Sequence, residues 1–177
     1  MLHGERIGLR ARLESDVPVL HEKLYEDVLT RSRADSRPWR PTPVGSSPYA
    51  VGEPADDHAA FTVVESATGE VAGEAIVWGI DSHNRLAHLG LAVLPAFRGR
   101  GYGAESVRLM CRYVFTVRGL QRAQVETLAD NEPMIRAAES AGFVREGLLR
   151  RAAWVHGEFL DEAVLGLLAE DWAKTEA

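Results

Sequence analysis

Residues 86–106 read LAHLGLAVLPAFRGRGYGAES. An apolar run leads through Pro95 into a basic, glycine-rich turn made of Arg98, Gly99, Arg100, Gly101, Tyr102, Gly103 and Ala104. An amphipathic pattern follows directly. Glycine reaches backbone angles closed to other residues and lets a ligand approach the main chain. Successive N–H groups in such a turn form an anion-binding concavity. The helix that starts there adds the free amides of its first turn and the positive end of its dipole. Arg98 and Arg100 add two full charges. The stretch therefore predicts a phosphate or pyrophosphate site directly after a buried strand. Gly99, Gly101 and Ala104 also fit G-x-G-x-x-A, the dinucleotide fingerprint. That fold sets its glycines after the first strand of a long βαβ array, whereas here about half of the chain comes first. No Gly-Lys-Ser/Thr occurs, which excludes a lysine-bearing phosphate loop.

Upstream, RIGLRAR (6–12) alternates apolar and basic residues as a half-exposed strand does, and Val17, Leu20, Leu24 and Val28 recur at helical spacing over 15–29. Residues 32–54 hold five of the eight prolines together with Trp39 and Tyr49, and read as a long loop. FTVVE (61–65), VAGEAIVWGI (71–80) and 86–94 are three strands joined by short turns, an antiparallel meander in which Glu74 and His88 interrupt apolar runs. Downstream, Val107, Met110, Cys111, Val114 and Phe115 make one face of a helix over 103–117. A strand follows over 121–128. Asp130 and Asn131 cap a helix with Pro133 in its first turn, and two last strands cover 143–151 and 159–168.

The 177 residues, with no repeat or linker, predict a single domain. The apolar runs are short of the roughly 20 residues that span a bilayer, and no signal-peptide core opens the chain, so no membrane partner is expected. One cysteine, Cys111, permits neither an intrachain disulfide nor a cysteine metal cluster and suits a reducing cytoplasm; no metal is expected. A net charge of −6 argues against nucleic acid and favours a cationic substrate.

Arg98-x-x-Gly101-x-Gly103, set after a strand and a proline, resembles the acyl-CoA-binding signature R/Q-x-x-G-x-G/A of the GCN5-related N-acetyltransferases. Asn131 with Gly142-Phe143 eleven and twelve residues later is similar to that family's N…GF spacing. Glu146-Gly147-Leu148-Leu149-Arg150 and Gly157-Glu158-Phe159-Leu160-Asp161 resemble the subgroup that acetylates ribosomal-protein N-termini and polyamines. The resemblance implies an α+β fold. Its central, mostly antiparallel sheet would have about seven strands and about four flanking helices, with a splay between the strands at 86–94 and 121–128. It implies acetyl-CoA as co-substrate and a small-molecule or peptide amine as acceptor: a cationic metabolite, an antibiotic or a protein N-terminus. The subgroup's dimers make a homodimer one expectation.

The resemblance also assigns roles. Pantetheine would lie in the splay and pair with main chain at Leu91, Ala92 and Val93, as an added strand does. The diphosphate would sit on 98–104, and Asn131 would hold the pantetheine arm. The loop that carries Trp39 and Tyr49 would line the acceptor site. The family's frequent tyrosine acid falls on Ala138 and the subgroup's serine on Met134, so no acid is inherited. The subgroup's glutamate falls on His88, whose ordinary pKa near 6.5 suits it to accept the amine proton. Glu74 is the rival base and Glu126 the third. The missing acids leave a silent acyl-CoA-binding module as the alternative, and a dinucleotide enzyme as a more distant one.

Overall fold

The structure is a computed structural model that describes residues 1–35 and 37–175; Ser36, in the proline-rich stretch, lies outside the described residues. One sheet runs through the molecule: β1 (Leu2–His3), β2 (Ile7–Ala11), β3 (Ala59–Glu65), β4 (Val71–Asp81), β5 (Leu86–Val93), β6 (Arg122–Leu128), β7 (Val144–Val155) and β8 (Glu158–Leu168), in the order β1-β2-β3-β4-β5-β6-β8-β7. The seven expected strands are present, and the short β1 adds an eighth by pairing Leu2 with Leu9. All neighbours are antiparallel except β5 and β6.

One face of the sheet carries α3 (Tyr102–Arg112) and α4 (Glu132–Glu139). Val107, Met110, Cys111 and Val114, the stripe expected from the sequence, are buried there with Val77, Leu89, Val125 and Leu165. A π-helical turn, Tyr113–Val117, prolongs α3 to the expected end. α5 (Ala169–Thr175) follows β8 without a loop and buries Trp172 in the same core.

On the other face the helix expected over 15–29 is divided. α1 (Val17–Leu20) runs into a π-helical turn, His21–Tyr25, and the chain breaks at Asp27. Asp27 Oδ1 then accepts from the amides of Leu29 and Thr30 at 3.1 and 3.2 Å and starts α2 (Val28–Ala34). Helix propensity runs through this segment, but an N-cap acceptor in mid-pattern satisfies two amides and lets a second helix start in a new direction. Residues 32–34, expected in the loop, thus belong to α2. Leu20, Leu24 and Tyr25 pack with Tyr49 and Leu94 into a small second core that ties the proline-rich loop to the sheet.

Candidate active site

The parallel pair decides the site. β5 and β6 are in register only at Leu86–Arg122, Ala87–Ala123 and His88–Gln124. Beyond His88 each strand stays with its outer neighbour, β5 with β4 as far as Val93–Gly73 and β6 with β8 as far as Leu128–Glu162. The two strands therefore part, and a cleft of about 1820 Å³ opens between them and continues over the α1–α2 face. Leu94 N–H donates to Ala72 O at 2.8 Å. Amide direction alternates along an antiparallel strand, so Ala92 faces β4 while Leu91 and Val93 turn their amides into the gap. Gly73 allows this close approach, since a Cβ there would overlap Ala92 O.

The turn lies at the mouth of the gap. Gly99 and Gly101 have φ of 75° and 79°, and Gly101 is the N-cap of α3. A Cβ on Gly101 would stand 2.8 Å from the Arg6 guanidinium, whose Nη1 donates to Arg100 O at 2.7 Å. Arg6 is held in turn by the buried Glu105 of α3, which accepts from Arg6 N at 2.9 Å and Nε at 3.1 Å. Arg6, just before β2, thus clamps the turn from below, a role that the alternation in RIGLRAR does not reveal.

Among the residues singled out from the sequence, Leu91, Ala92, Val93, Arg98, Gly99, Gly101, Tyr102, Gly103, Ala104 and Asn131 line the cleft, as do Tyr49 and Glu74. Arg100, Trp39 and His88 are not on its wall. Arg98 reaches back to the gap, Nε donating to Val93 O at 3.1 Å. Arg100 turns away, pairing with Glu65 at 3.2 Å and donating to Ala96 O at 3.0 Å. The Tyr102 hydroxyl also goes to Glu65. Of these two residues only the main chain is free to act at the turn. Asn131 is already employed: Oδ1 caps α4 at Met134 N, 3.4 Å, and Nδ2 donates to Thr127 Oγ1 at 2.9 Å. Its neighbour Asp130 pairs with Arg33 of α2 at 2.6 Å, which joins the two walls of the cleft.

The end of the cleft below α1 and α2 is lined by ion pairs. Glu74 Oε2 accepts from Arg12 Nη2 at 2.8 Å, and both side chains are nearly buried. Burial pushes the Glu74 carboxyl above its ordinary range, and the Arg12 guanidinium pulls it back. Arg31, stacked between Tyr25 and Tyr49, donates to the Tyr49 hydroxyl at 3.2 Å and pairs with Asp35. Burial holds the Tyr49 phenol well above its usual value. Trp39 packs beneath: its Nε1 donates to Tyr25 O at 3.0 Å, which makes it a pin of the loop. Glu74 and Tyr49 are thereby tied up in structure, which the sequence pattern does not disclose.

The β6–β8 wall differs. Glu126 and Glu162 are diagonal neighbours on one face of that ladder, and both line the cleft. Among the described residues neither is paired with an arginine or lysine. Burial, then the Glu126 charge, raises the Glu162 carboxyl. Gln124 Nε2 donates to Glu126 Oε1 at 2.6 Å. Behind them His88 stacks on Trp78, centroids 4.3 Å apart, with Nδ1 3.7 Å from Glu126 Oε1. Burial holds the imidazole below its ordinary range, against the pull of Glu126. Ala138, where the resembled family carries its tyrosine acid, is fully buried on the inner face of α4.

The strand pair opens half-way, with amides turned into the gap and a glycine-rich helix start at its mouth, an arrangement suited to an extended ligand that ends in an anionic group. The chain belongs to the GNAT acetyltransferase family, for the family model described as an acetyltransferase (GNAT) domain matches residues 6–144. It is an acetyl-CoA-dependent acetyltransferase that moves acetyl to an amine. A prophage-derived N-acetyltransferase of Bacillus subtilis, YokL, is 26% identical over 96% of this chain and 93% of its own length. The spermidine N(1)-acetyltransferase of Vibrio cholerae is 25% identical over 56% of this chain and 57% of its own. In fold, a crystal structure of the Vibrio cholerae spermidine N-acetyltransferase in complex with CoA and spermine matches with a TM-score of 0.82. It covers 95% of this chain and 98% of that one at 18% identity.

Proposed function

We propose that this protein acetylates the primary amine of a small cationic molecule, with acetyl-CoA laid in the β5–β6 gap. The observation that carries the reading is that gap, with the Leu91 and Val93 amides turned into it and the 98–104 turn at its mouth. Pantetheine pairs with β5 as an added strand does. The thioester oxygen takes the Val93 amide, aimed at the place where negative charge develops. The diphosphate takes the amides of 99–104 and the free guanidinium nitrogens of Arg98.

The charges of the cleft support a cationic acceptor. Arg12 is matched by Glu74, Arg31 and Arg37 by Asp35, and Arg33 by Asp130. Glu126 and Glu162 are left without a cation. An ammonium group fits there, and the names of the spermidine-acetylating relatives agree with it. We assign Glu126 as the proton acceptor in preference to His88, which lies behind it, and to Glu74, which Arg12 already holds. Glu126 takes one proton from R–NH3+. The neutral amine attacks the thioester carbon, the C–S bond breaks, and the thiolate takes a proton from the new amide nitrogen, directly or through water. A reducing cytoplasm, where acetyl-CoA is made and used, is the setting that fits this chemistry.

The test mixes the protein with acetyl-CoA and a panel of amines while free thiol is followed. Thiol release with diamines and polyamines, and little with anionic amines, is expected. Tight CoA binding with no thiol release for any amine would sink the reading in favour of a silent binding module.

A further inference from the structure

His88 sits one layer behind the acceptor wall, and its surroundings are unusual for a histidine that is only filling space. On β4 it faces Trp78, stacked at 20° between ring planes, and Gly79, where a Cβ would be 3.1 Å from the imidazole Cδ2. On β6 it faces Gln124 in register and Glu126 beyond it. Arg122 is the other charge it feels, and that guanidinium is already paired with Glu146 of β7. The stack fixes the ring plane. The positive φ of Gly79, 58°, makes room for the ring edge. Held in this way, Nδ1 is buried and has no hydrogen-bond partner, and it points at Glu126 Oε1 from 3.7 Å. An orphaned buried polar atom is costly, and a carboxylate that moves by under an ångström would satisfy it.

We propose that His88 is a positioning residue that acts through Glu126. When an amine enters the cleft, its Nδ1–H donates to Glu126 Oε1 and turns the other carboxylate oxygen to the ammonium. The proposal rests on the functional reading above and adds a partner to its proton acceptor. His88 exchanges no proton with the substrate. It keeps Glu126 aimed, the part that an orienting hydrogen bond plays for a catalytic base. Gln124 already donates to the same oxygen in the free protein, so once the His88 bond forms the carboxylate is held from the sheet side by two donors and left open on the cleft side.

The test uses the full chain and three substitutions that separate the two ring nitrogens. His88→Ala removes the donor and is expected to lower kcat about tenfold, in the range for removal of an orienting second-layer bond, with the acceptor KM little changed. His88→Asn places an amide N–H where Nδ1–H stands and is expected to recover most of that loss. His88→Gln places its amide where Nε2 stands and is expected to stay as slow as His88→Ala.

Asn as slow as Gln would overturn the proposal. So would a loss of kcat in His88→Ala as large as that in Glu126→Gln, since His88 would then be the base itself. Nitrogen NMR of His88, with CoA bound, reads the contact without turnover. Adding 1,5-diaminopentane is expected to shift Nδ1 in the wild type and not in Glu126→Gln. The same shift in both would also overturn it. A wild type that binds CoA and shows the Nδ1 shift but releases no thiol breaks the functional reading alone.

Discussion

From Leu91 to Ala104 the cleft is walled by main chain; from Arg12 through Arg31 and Tyr49 to Glu74 it is walled by side chains that hold one another. The first region asks that a few positions be glycine and that one strand edge be unpaired, with Leu94 and Tyr102 buried in the cores behind it. The second depends on specific partners, because each buried charge needs its opposite. A substitution at the CoA end should therefore change ligand affinity and leave the fold intact. One at the acceptor end should change the fold first.

The largest expected effect tests the second half of that contrast. Glu74→Gln leaves the Arg12 guanidinium buried without a counter-charge, a loss of about 3–5 kcal/mol. Thermal unfolding should show a large fall in Tm, while CoA binding by the folded fraction, measured by calorimetry, stays within about twofold. A Tm equal to wild type would mean that the acceptor wall is less interlocked than its bonds suggest.

Next comes Asp16, which ties α1 to the sheet. Burial opposes its ionisation, but Arg10 at 2.6 Å, the Leu13 amide and the Thr62 hydroxyl prevail and hold the carboxyl below its ordinary range. A depressed acid contributes stability above its unfolded value, about pH 4, and that contribution is lost as pH falls through the lower folded value. Denaturant unfolding at pH 6 and pH 3 should show a steeper loss in the wild type than in Asp16→Asn, which gives up the contribution at both. Parallel losses would remove Asp16 from the account.

Arg98→Ala addresses the first half. It removes charge-assisted contacts worth about 1.5–3 kcal/mol, so CoA affinity should fall about 10- to 100-fold and more at low salt than at high. Stability should be unchanged, since the side chain gives the fold a single bond to Val93 O. A fall in Tm as large as that of Glu74→Gln would erase the distinction between the two ends. The smallest effect is expected at Trp39→Phe, which loses one bond to Tyr25 O and costs about 1 kcal/mol. Acceptor KM should rise a few-fold with kcat steady, as the loop it pins lies next to Tyr49.

The CoA end was legible because its requirement is local. Gly99, Gly101, the proline before them and the arginines among them are read within ten residues, and the turn they specify is the turn observed. The apolar stripe of α3 was equally legible, being a periodicity within one helix. What the pattern missed were pairings across long separations. Arg6 beneath Gly101, Arg12 on Glu74 and Arg33 on Asp130 join residues 62 to 97 positions apart. Trp39, equally an aromatic in a proline-rich loop, faces Tyr25 while Tyr49 faces the cleft, and no spacing separates the two cases.

By itself the sequence determined the strand order of the meander and the glycine-rich turn, and its motifs carried the resemblance to the family, because backbone angle, hydrophobic period and glycine placement are properties of a short stretch. Only the tertiary structure decided where β5 and β6 part, which carboxylates of the cleft keep a partner, and that His88 stands behind Glu126. Those depend on what lies opposite each group once the sheet has twisted and the helices have closed over it, and the strength of a charge or a donor is set by that neighbour and by the exclusion of water.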